Sequence, residues 1–216
     1  MATIKKGIMG PFSGTIANIV GYERLGTACM RKKADLSGRV FSEKQLAHQQ
    51  RVRLANSFIN PSKNFINIGF SLSTKGGQTA HNVAISQVMH NGFKSAFPDL
   101  ELDFENLLVA DGDLEKARNP RVDLTGNALK FTWDYDNMLE FSNGMDQVML
   151  LAYSRETGRS FHVLGGARRS TGMETLEVYP ELEQESYETF IAFITEDRKQ
   201  ISRSSYTGTY TYSSGQ

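Results

Sequence analysis

Residues 128–134 have the sequence Ala-Leu-Lys-Phe-Thr-Trp-Asp, and residues 147–154 have the sequence Gln-Val-Met-Leu-Leu-Ala-Tyr-Ser. In the first stretch Leu129, Phe131 and Trp133 alternate with polar residues, which indicates a β-strand with one buried face. The second stretch is apolar on both faces, which predicts a central strand that is covered on both sides. The helical region described below is a candidate for one of these two covers.

Strand-forming residues continue on both sides of these two stretches, throughout residues 99–216. Five further strands are predicted at residues 107–111, 160–164, 173–179, 187–196 and 200–212. Turn signals such as Gly126-Asn127 and Thr157-Gly158 separate them. Seven short strands at this spacing favour an antiparallel two-sheet sandwich.

Residues 42–98 have a helical pattern instead. Ser42 followed by Gln45 is a capping-box signature, and the next apolar residues lie on one side of a helix. The sequence predicts one helix that ends before Asn60-Pro61, a short helix at 62–70 and another helix over 79–97.

Residues 1–41 are rich in glycine and basic residues. We expect short strands at residues 16–20 and 22–30, with Gly26 as a candidate bulge or turn within the second. The segment has too few large apolar side chains to bury a core alone, so it must dock on the rest of the chain, on a neighbouring copy or on another molecule.

The predicted fold class is α+β, mainly β, with three regions. They are a basic glycine-spaced arm (1–41), a helical region (42–98) and an acidic antiparallel β-sandwich (99–216).

The neutral total charge hides an asymmetry between the two halves of the chain. Residues 1–98 carry 13 Lys and Arg against 3 acidic residues, and residues 99–216 carry 11 against 21. Such a division points to a partner, either an anionic polymer for the first half or the acidic half of another copy.

Motifs for catalysis, cofactors and metals are not found in the sequence. The glycine series at residues 7–14 lacks the Gly-Lys-Ser/Thr of a phosphate loop, and the four histidines have no metal-ligand spacing. Cys29 is the only cysteine. We therefore predict no catalytic residue, no cofactor and no metal, and a protein that is not an enzyme.

The N-terminus has no apolar run typical of a secretory signal, and no stretch approaches 18 apolar residues. These features predict synthesis in the cytoplasm without a membrane span. A particle that leaves the cell by lysis would have the same features.

Two charged clusters are candidate binding surfaces. Asp99, Glu101, Asp103 and Glu105 alternate with apolar residues, which predicts four carboxylates on one edge of a strand. They could form an acid–base pair, a cation site, a solvated strand face or a patch that receives a basic arm. The basic cluster is Lys5, Lys6, Arg24, Arg31, Lys32, Lys33, Arg39, Arg51 and Arg53. Arg168-Arg169 and Arg203 are interpreted as local salt-bridge partners of nearby acids, and such pairs contribute little when they are exposed.

Two resemblances to known families follow from residue patterns. Trp133 in an early strand and the late strands at 187–193 and 201–210 resemble a fibronectin type III domain over residues 120–212. The motif Gly7-x-x-Gly10-x-x-Ser13-Gly14, then Val20-Gly21, Gly26 and Arg31, is similar to an uncharacterised family from Bacteroidota. Later matching residues are Asn82, Leu114, Trp133, Asp146-x-Val148 and Ser202-x-Ser204-x-Tyr206-x-Gly208. That family has a proline shortly after the arginine, where this chain has Lys32-Lys33-Ala34. The resemblance implies an architecture and no chemistry.

The leading hypothesis is a structural protein whose copies associate head to tail through the arm, as in a virion, a tail-like particle or a filament. Its partners would be other copies and other structural proteins. The predicted contacts are Gly10, Gly14, Ile16, Val20, Arg24, Arg31, Asp99, Glu101, Asp103 and Glu105. The alternative is a module that binds nucleic acid or an anionic surface through the basic first half. An enzyme and a non-assembling adaptor are further alternatives.

Overall fold

The computed structural model describes residues 3–4, 10–24, 26–35, 37–38, 40–136 and 144–214. The chain divides into two compact units, Met1–Glu43 and Lys44–Gln216. The finer division into an arm, a helical region and a sandwich stays a prediction.

The first unit contains a four-stranded antiparallel sheet in the order β1-β2-β3-β4. Its strands are Thr3–Ile4, Phe12–Ile16, Ile19–Arg24 and Thr27–Lys32. The single strand predicted at 16–20 is wrong, because a two-residue turn separates Ile16 from its partner Ile19 and places Ala17 at φ 49°. Within 22–30, the bulge or turn predicted at Gly26 is a turn that separates β3 from β4, and Gly26 has φ 80°, a conformation that favours glycine.

The second unit begins with three helices. They are α1 (Glu43–Ile59), α2 (Lys63–Gly69) and α3 (Ala80–Asn91). The Thr79 side chain caps α3 by accepting a hydrogen bond from the backbone N–H of Asn82 over 3.2 Å. Helix α3 is shorter than the predicted 79–97 because it ends at Gly92, where the Leu107 side chain fills the space that a Cβ would need.

Seven strands follow and pair antiparallel in two sheets. They are β5 (Arg118–Thr125), β6 (Ala128–Asp134), β7 (Gln147–Ser154), β8 (Ser160–Val163), β9 (Met173–Glu177), β10 (Gln184–Ile194) and β11 (Ser205–Ser213). One sheet has the order β5-β6-β9 and the other the order β11-β10-β7-β8. Strands β6 and β7 have the bounds predicted from their apolar patterns.

In the second unit the strand prediction fails in two places. Strand β5 was not predicted, because its charged residues and Pro120 hide the alternation of its buried side chains. Residues 107–111 form no strand. Their backbone is held by a side chain instead, since the amides of Val109 and Ala110 donate to the Ser204 hydroxyl over 3.0 and 3.4 Å.

The alternation of side chains along β7 builds two hydrophobic cores. Val148 and Leu150 face the β5-β6-β9 sheet and pack in one cluster with Phe131 and Leu129. Met149 and Leu151 lie on the opposite face, in a cluster formed with all three helices. This arrangement confirms that β7 is a central strand covered on both faces.

One arginine of the pair Arg168-Arg169 is buried. Arg169 is 1 % exposed, and its Nε donates to Asp146 over 3.2 Å. Its Nη atoms donate to the backbone carbonyls of Glu115 and Lys116 over 2.6 and 3.2 Å, and its guanidinium lies 3.8 Å from the centre of the Phe193 ring. The interpretation of Arg169 as a salt-bridge partner of a nearby acid agrees with its pair with Asp146. The pair is buried, however, and the side chain joins separate segments inside the sandwich.

The fold is α+β and mainly β, as the sequence predicts, with two antiparallel sheets packed face to face. Among the helices of the described residues, none has the length and apolar character needed to span a membrane.

Candidate assembly surface

The sheet of the first unit has one apolar face. Residues paired directly across antiparallel strands share a face, so the pairs Gly14–Gly21, Ile16–Ile19 and Gly21–Met30 place these side chains together. Ile16, Ile19 and Met30 are 46 %, 45 % and 72 % exposed. The same face also carries Lys32, which pairs with Ile19, and Glu23, which pairs with Ala28. We call its apolar part, Phe12, Gly14, Ile16, Ile19, Gly21 and Met30, the apolar face.

Gly21 lies at the centre of the apolar face, and the Phe12 side chain packs over it. A Cβ at residue 21 would lie 2.3 Å from the carbonyl oxygen of Phe12 and 2.7 Å from its ring, so only glycine fits. Gly21 is the one buried residue among the described residues of this unit. The described residues of the sheet therefore form no hydrophobic core of their own.

The opposite face of the same sheet is basic. The pairs Val20–Arg31, Tyr22–Cys29 and Arg24–Thr27 place two arginines on either side of Tyr22. Both arginines and Tyr22 are exposed, and Cys29 is half-buried. We call Tyr22, Arg24 and Arg31 the arginine face.

The predicted contact residues of the arm are thus divided between two surfaces. Gly14 and Ile16 lie on the apolar face, whereas Val20, Arg24 and Arg31 lie on the other face. Gly10 precedes β2 and lines a pocket of about 240 Å³ with residues of β4. Lys5, Lys6, Gly7 and Arg39, which the sequence analysis also named, lie outside the described residues.

The predicted acidic strand edge at residues 99–105 is not a strand. Leu102 makes a single bridge to Phe93, and residues 104–106 form a turn. The alternation arises because Leu100 and Phe104 are buried in a bent connection between α3 and β5. Asp99 and Glu101 are exposed in this connection.

One of the four carboxylates in this connection forms an ion pair, and a second lines a cavity with basic residues. Asp103 pairs with Lys94 over 3.8 Å and accepts a hydrogen bond from Asn106 over 2.7 Å. Glu105 lines an open polar cavity of about 610 Å³ together with Lys116 and Arg203. These contacts reduce the negative charge that the connection presents to a partner.

The described residues contain no group of three His, Cys, Asp or Glu side chains that could hold a metal ion. Of the histidines, His90 lies 2.6 Å from the carbonyl oxygen of Ser86 through Nδ1, and burial lowers the pKa of His162.

Two buried carboxylates on β10 were not singled out from the sequence. Glu188 forms an ion pair with Arg155 and accepts hydrogen bonds from the hydroxyls of Tyr206 and Thr209, at 2.6 and 3.0 Å. Burial pushes the pKa of Glu185 up, but hydrogen bonds from side chains and backbone outweigh it and lower the pKa. Both groups are engaged in structural hydrogen bonds, so their burial does not indicate catalysis.

The feature that sequence reasoning missed is the two-sided character of the first sheet. The turn at residues 17–18 sets the register of β2 against β3, and that register decides which side chains share a face. The Asn18 that follows Ala17 is a turn signal between two apolar runs, and it could have indicated this hairpin.

Comparison with known proteins gives a family without an assigned activity. No curated protein matches the chain. Residues 11–208 match a family described as of unknown function, DUF6266, and this range includes the sheet from β2 onward and most of the second unit. The match agrees with the resemblance to an uncharacterised family that the N-terminal glycine motif predicts. The chain belongs to the DUF6266 family of unknown function.

Proposed function

We propose that this protein is a non-enzymatic assembly protein whose copies associate head to tail through the sheet of the first unit. A component of a filament, a tail-like particle or a virion would have such a role. The sheet of one copy docks on the second unit of the next copy, and repetition of this heterologous contact produces a ring or an open filament.

The observation that carries the proposal is the apolar face. A small sheet without a covered face is not stable alone in water, and a solvated surface of Ile16, Ile19 and Met30 is typical of a contact surface. Covering these three side chains would contribute about 3 kcal/mol, at roughly 1 kcal/mol for each half-exposed side chain.

Charge supports a second copy as the partner. The first unit carries 7 Lys and Arg against 3 acidic residues, and the second carries 17 against 21. Residues 44–98 contribute 6 cations and no acids, but they belong to helices that share a core with the acidic sheet. Much of the asymmetry between the halves is therefore internal to the second unit, and the basic first unit remains available for a partner.

We also infer that the sandwich is a fibronectin type III-like domain. When strands β5 to β11 are lettered A, B, C, C′, E, F and G in chain order, as in that fold, the two sheets have the orders ABE and C′CFG. This architecture occurs with many functions, so it supports the structural role by analogy only.

The test is light scattering coupled to size exclusion on the full chain and on the variant Ile16→Thr, Ile19→Thr, Met30→Thr. We expect the wild type to form a species larger than one subunit and the variant to be a monomer, because threonine keeps the strand propensity and removes apolar area. The matched control is Leu72→Thr, Met145→Thr, which changes similarly exposed side chains of the second unit.

Two outcomes would contradict the proposal. One is a wild type that elutes as a single subunit at every concentration. The other is a triple variant that assembles as the wild type does. Salt-sensitive retention of a monomer on single-stranded oligonucleotide or heparin would instead favour the nucleic-acid alternative.

A further inference from the structure

We infer that the connection between β9 and β10 is the surface that receives the first unit of a neighbouring copy, an inference that rests on the proposed assembly function. We call Glu177, Tyr179, Glu181, Leu182 and Glu183 the acidic patch. All five residues are exposed.

Exposed apolar area and negative charge coincide in the acidic patch. Tyr179 is 60 % exposed and Leu182 is 46 % exposed, although both are large hydrophobic side chains. Three glutamates lie within two residues of them in the sequence. Aromatic residues and arginines that become desolvated at the centre of an interface provide most of its binding energy, so Tyr179 is the expected anchor.

The acidic patch is held in place before any partner binds. The Tyr179 hydroxyl donates to Glu177 over 2.9 Å, and its ring lies 6.1 Å from that of Phe161. Arg159 pairs with Glu181 and also donates to the carbonyl oxygen of Tyr179. A surface that is already ordered loses little conformational entropy on binding.

Exposed apolar area, and not a larger surplus of negative charge, distinguishes the acidic patch from residues 99–105. Arg159 is the one cation recorded in contact with the three carboxylates of the acidic patch among the described residues. In the other acidic connection Asp103 pairs with Lys94, and Glu105 shares a cavity with Lys116 and Arg203. The exposed large hydrophobic side chains of the described residues do not include any from 99–105.

The arginine face of the first unit has the complementary chemistry. Arg24 and Arg31 lie on either side of Tyr22, and all three side chains are exposed. Charge complementarity of this kind fixes the orientation of a contact and speeds its formation. Because the two faces lie on opposite sides of the sheet, the arginine face contacts the acidic patch in our inference, and the apolar face is covered by a different surface of the assembly.

The experiment compares two charge-reversed variants of the full chain. Glu177→Lys, Glu183→Lys changes the acidic patch but keeps Glu181 for Arg159. Asp99→Lys, Glu101→Lys makes the same change of net charge in the other acidic connection. By sedimentation velocity we expect the first variant to weaken self-association about tenfold or more and the second about twofold or less.

A charge swap separates recognition from misfolding. Arg24→Glu, Arg31→Glu alone is expected to weaken self-association, and its combination with Glu177→Lys, Glu183→Lys is expected to restore it. Restoration supports the acidic patch as the receiving surface.

Wild-type assembly by the Glu177→Lys, Glu183→Lys variant would overturn the inference. If the variant with threonine at 16, 19 and 30 is still a monomer, the proposed function survives that result. A wild type that never assembles overturns both.

Discussion

The sheet of residues 12–32 and the sandwich of the second unit use the same antiparallel strands but differ in what covers them. In β7 seven of the eight residues are buried, because a second sheet packs on one face and helices pack on the other. In the first unit Gly21 is the one buried residue among those described. Strand pairing alone does not provide a core, and we propose that another copy supplies the layer that the first sheet lacks.

Arginines show the same contrast. Arg169 is buried with its donors directed at Asp146 and two backbone carbonyls, so it stabilises the second unit from inside. Arg24 and Arg31 are exposed on the first sheet and serve recognition in our account. The following predictions test this division, from the largest effect to the smallest.

Arg169→Ala should lower the free energy of unfolding by about 5 kcal/mol. Removing one partner of a buried ion pair costs about 3–5 kcal/mol, and the carbonyls of Glu115 and Lys116 also lose their donor. The measurement is urea unfolding followed by fluorescence of Trp133, the one tryptophan of the chain. The adjacent Arg168 is exposed, so Arg168→Ala should change the value by less than about 0.5 kcal/mol. If both variants lowered the free energy of unfolding equally, the contrast between buried and exposed arginines would be contradicted.

Phe58→Ala should destabilise the second unit by about 3–4 kcal/mol. Its ring contacts Phe104 and Tyr153 at centroid distances of 5.7 and 5.0 Å, and its loss leaves a cavity in the helix-side core. Met30→Ala, a truncation on the apolar face, should leave the Trp133 unfolding curve unchanged and weaken self-association. A large shift of the Trp133 curve in the Met30 variant would show that the two regions do not have separate roles.

Gly21→Ala should weaken self-association by about 1–3 kcal/mol, because the new methyl group collides with the backbone and the ring of Phe12. Sedimentation velocity measures the change, and Trp133 fluorescence is expected to report an unaltered second unit. Thr15→Ala, on the opposite face of the same sheet, is the control and should have little effect. Normal assembly of the Gly21 variant would mean that the packing of Phe12 on β3 is not needed for docking.

The smallest effect concerns alkaline pH. Burial, then the hydrogen bond to Glu188, raises the pKa of Tyr206 to about 12. An unfolded tyrosine ionises near pH 10, so this contribution to stability is full below about pH 10 and is lost as the pH rises through about 12. Tyr206→Phe should therefore reduce the loss of unfolding free energy between pH 10 and 12.

The control for this measurement is Thr209→Val, which removes a neutral donor to the same carboxylate. It should lower stability by a similar amount at each pH. If Tyr206→Phe leaves the alkaline slope as it is in the wild type, the Tyr206–Glu188 contact is not the cause. Neither variant should alter self-association, because the contact lies within the second unit.

The sequence patterns predicted the strands of the sandwich best where one face or both faces of a strand are buried. The alternation at Leu129, Phe131 and Trp133 and the continuous apolar run of β7 gave the bounds of two strands. Prediction failed at β5 and at residues 99–111. In β5 the edge position tolerates Pro120 and charged residues, and in 99–111 apolar residues are buried in a bent connection. Local patterns report burial, and they do not distinguish a strand from a buried loop.

The candidate surface was less accessible to sequence reasoning. The glycine spacing and the shortage of large apolar residues indicated a segment that needs a partner. Which of its residues act together depends on the register set at Ala17, and that register divides Ile16 from Val20. The burial of Arg169 had no signal in the sequence, because an arginine beside another arginine is usually exposed.

The most direct test of whether a second copy covers the first sheet is amide hydrogen exchange of the full chain at low and high protein concentration. Our account predicts that protection of residues 12–32 rises with concentration, because another copy covers the sheet, while protection of residues 147–154 stays constant. Equal protection of residues 12–32 at all concentrations would contradict the claim that this sheet is completed by a second copy.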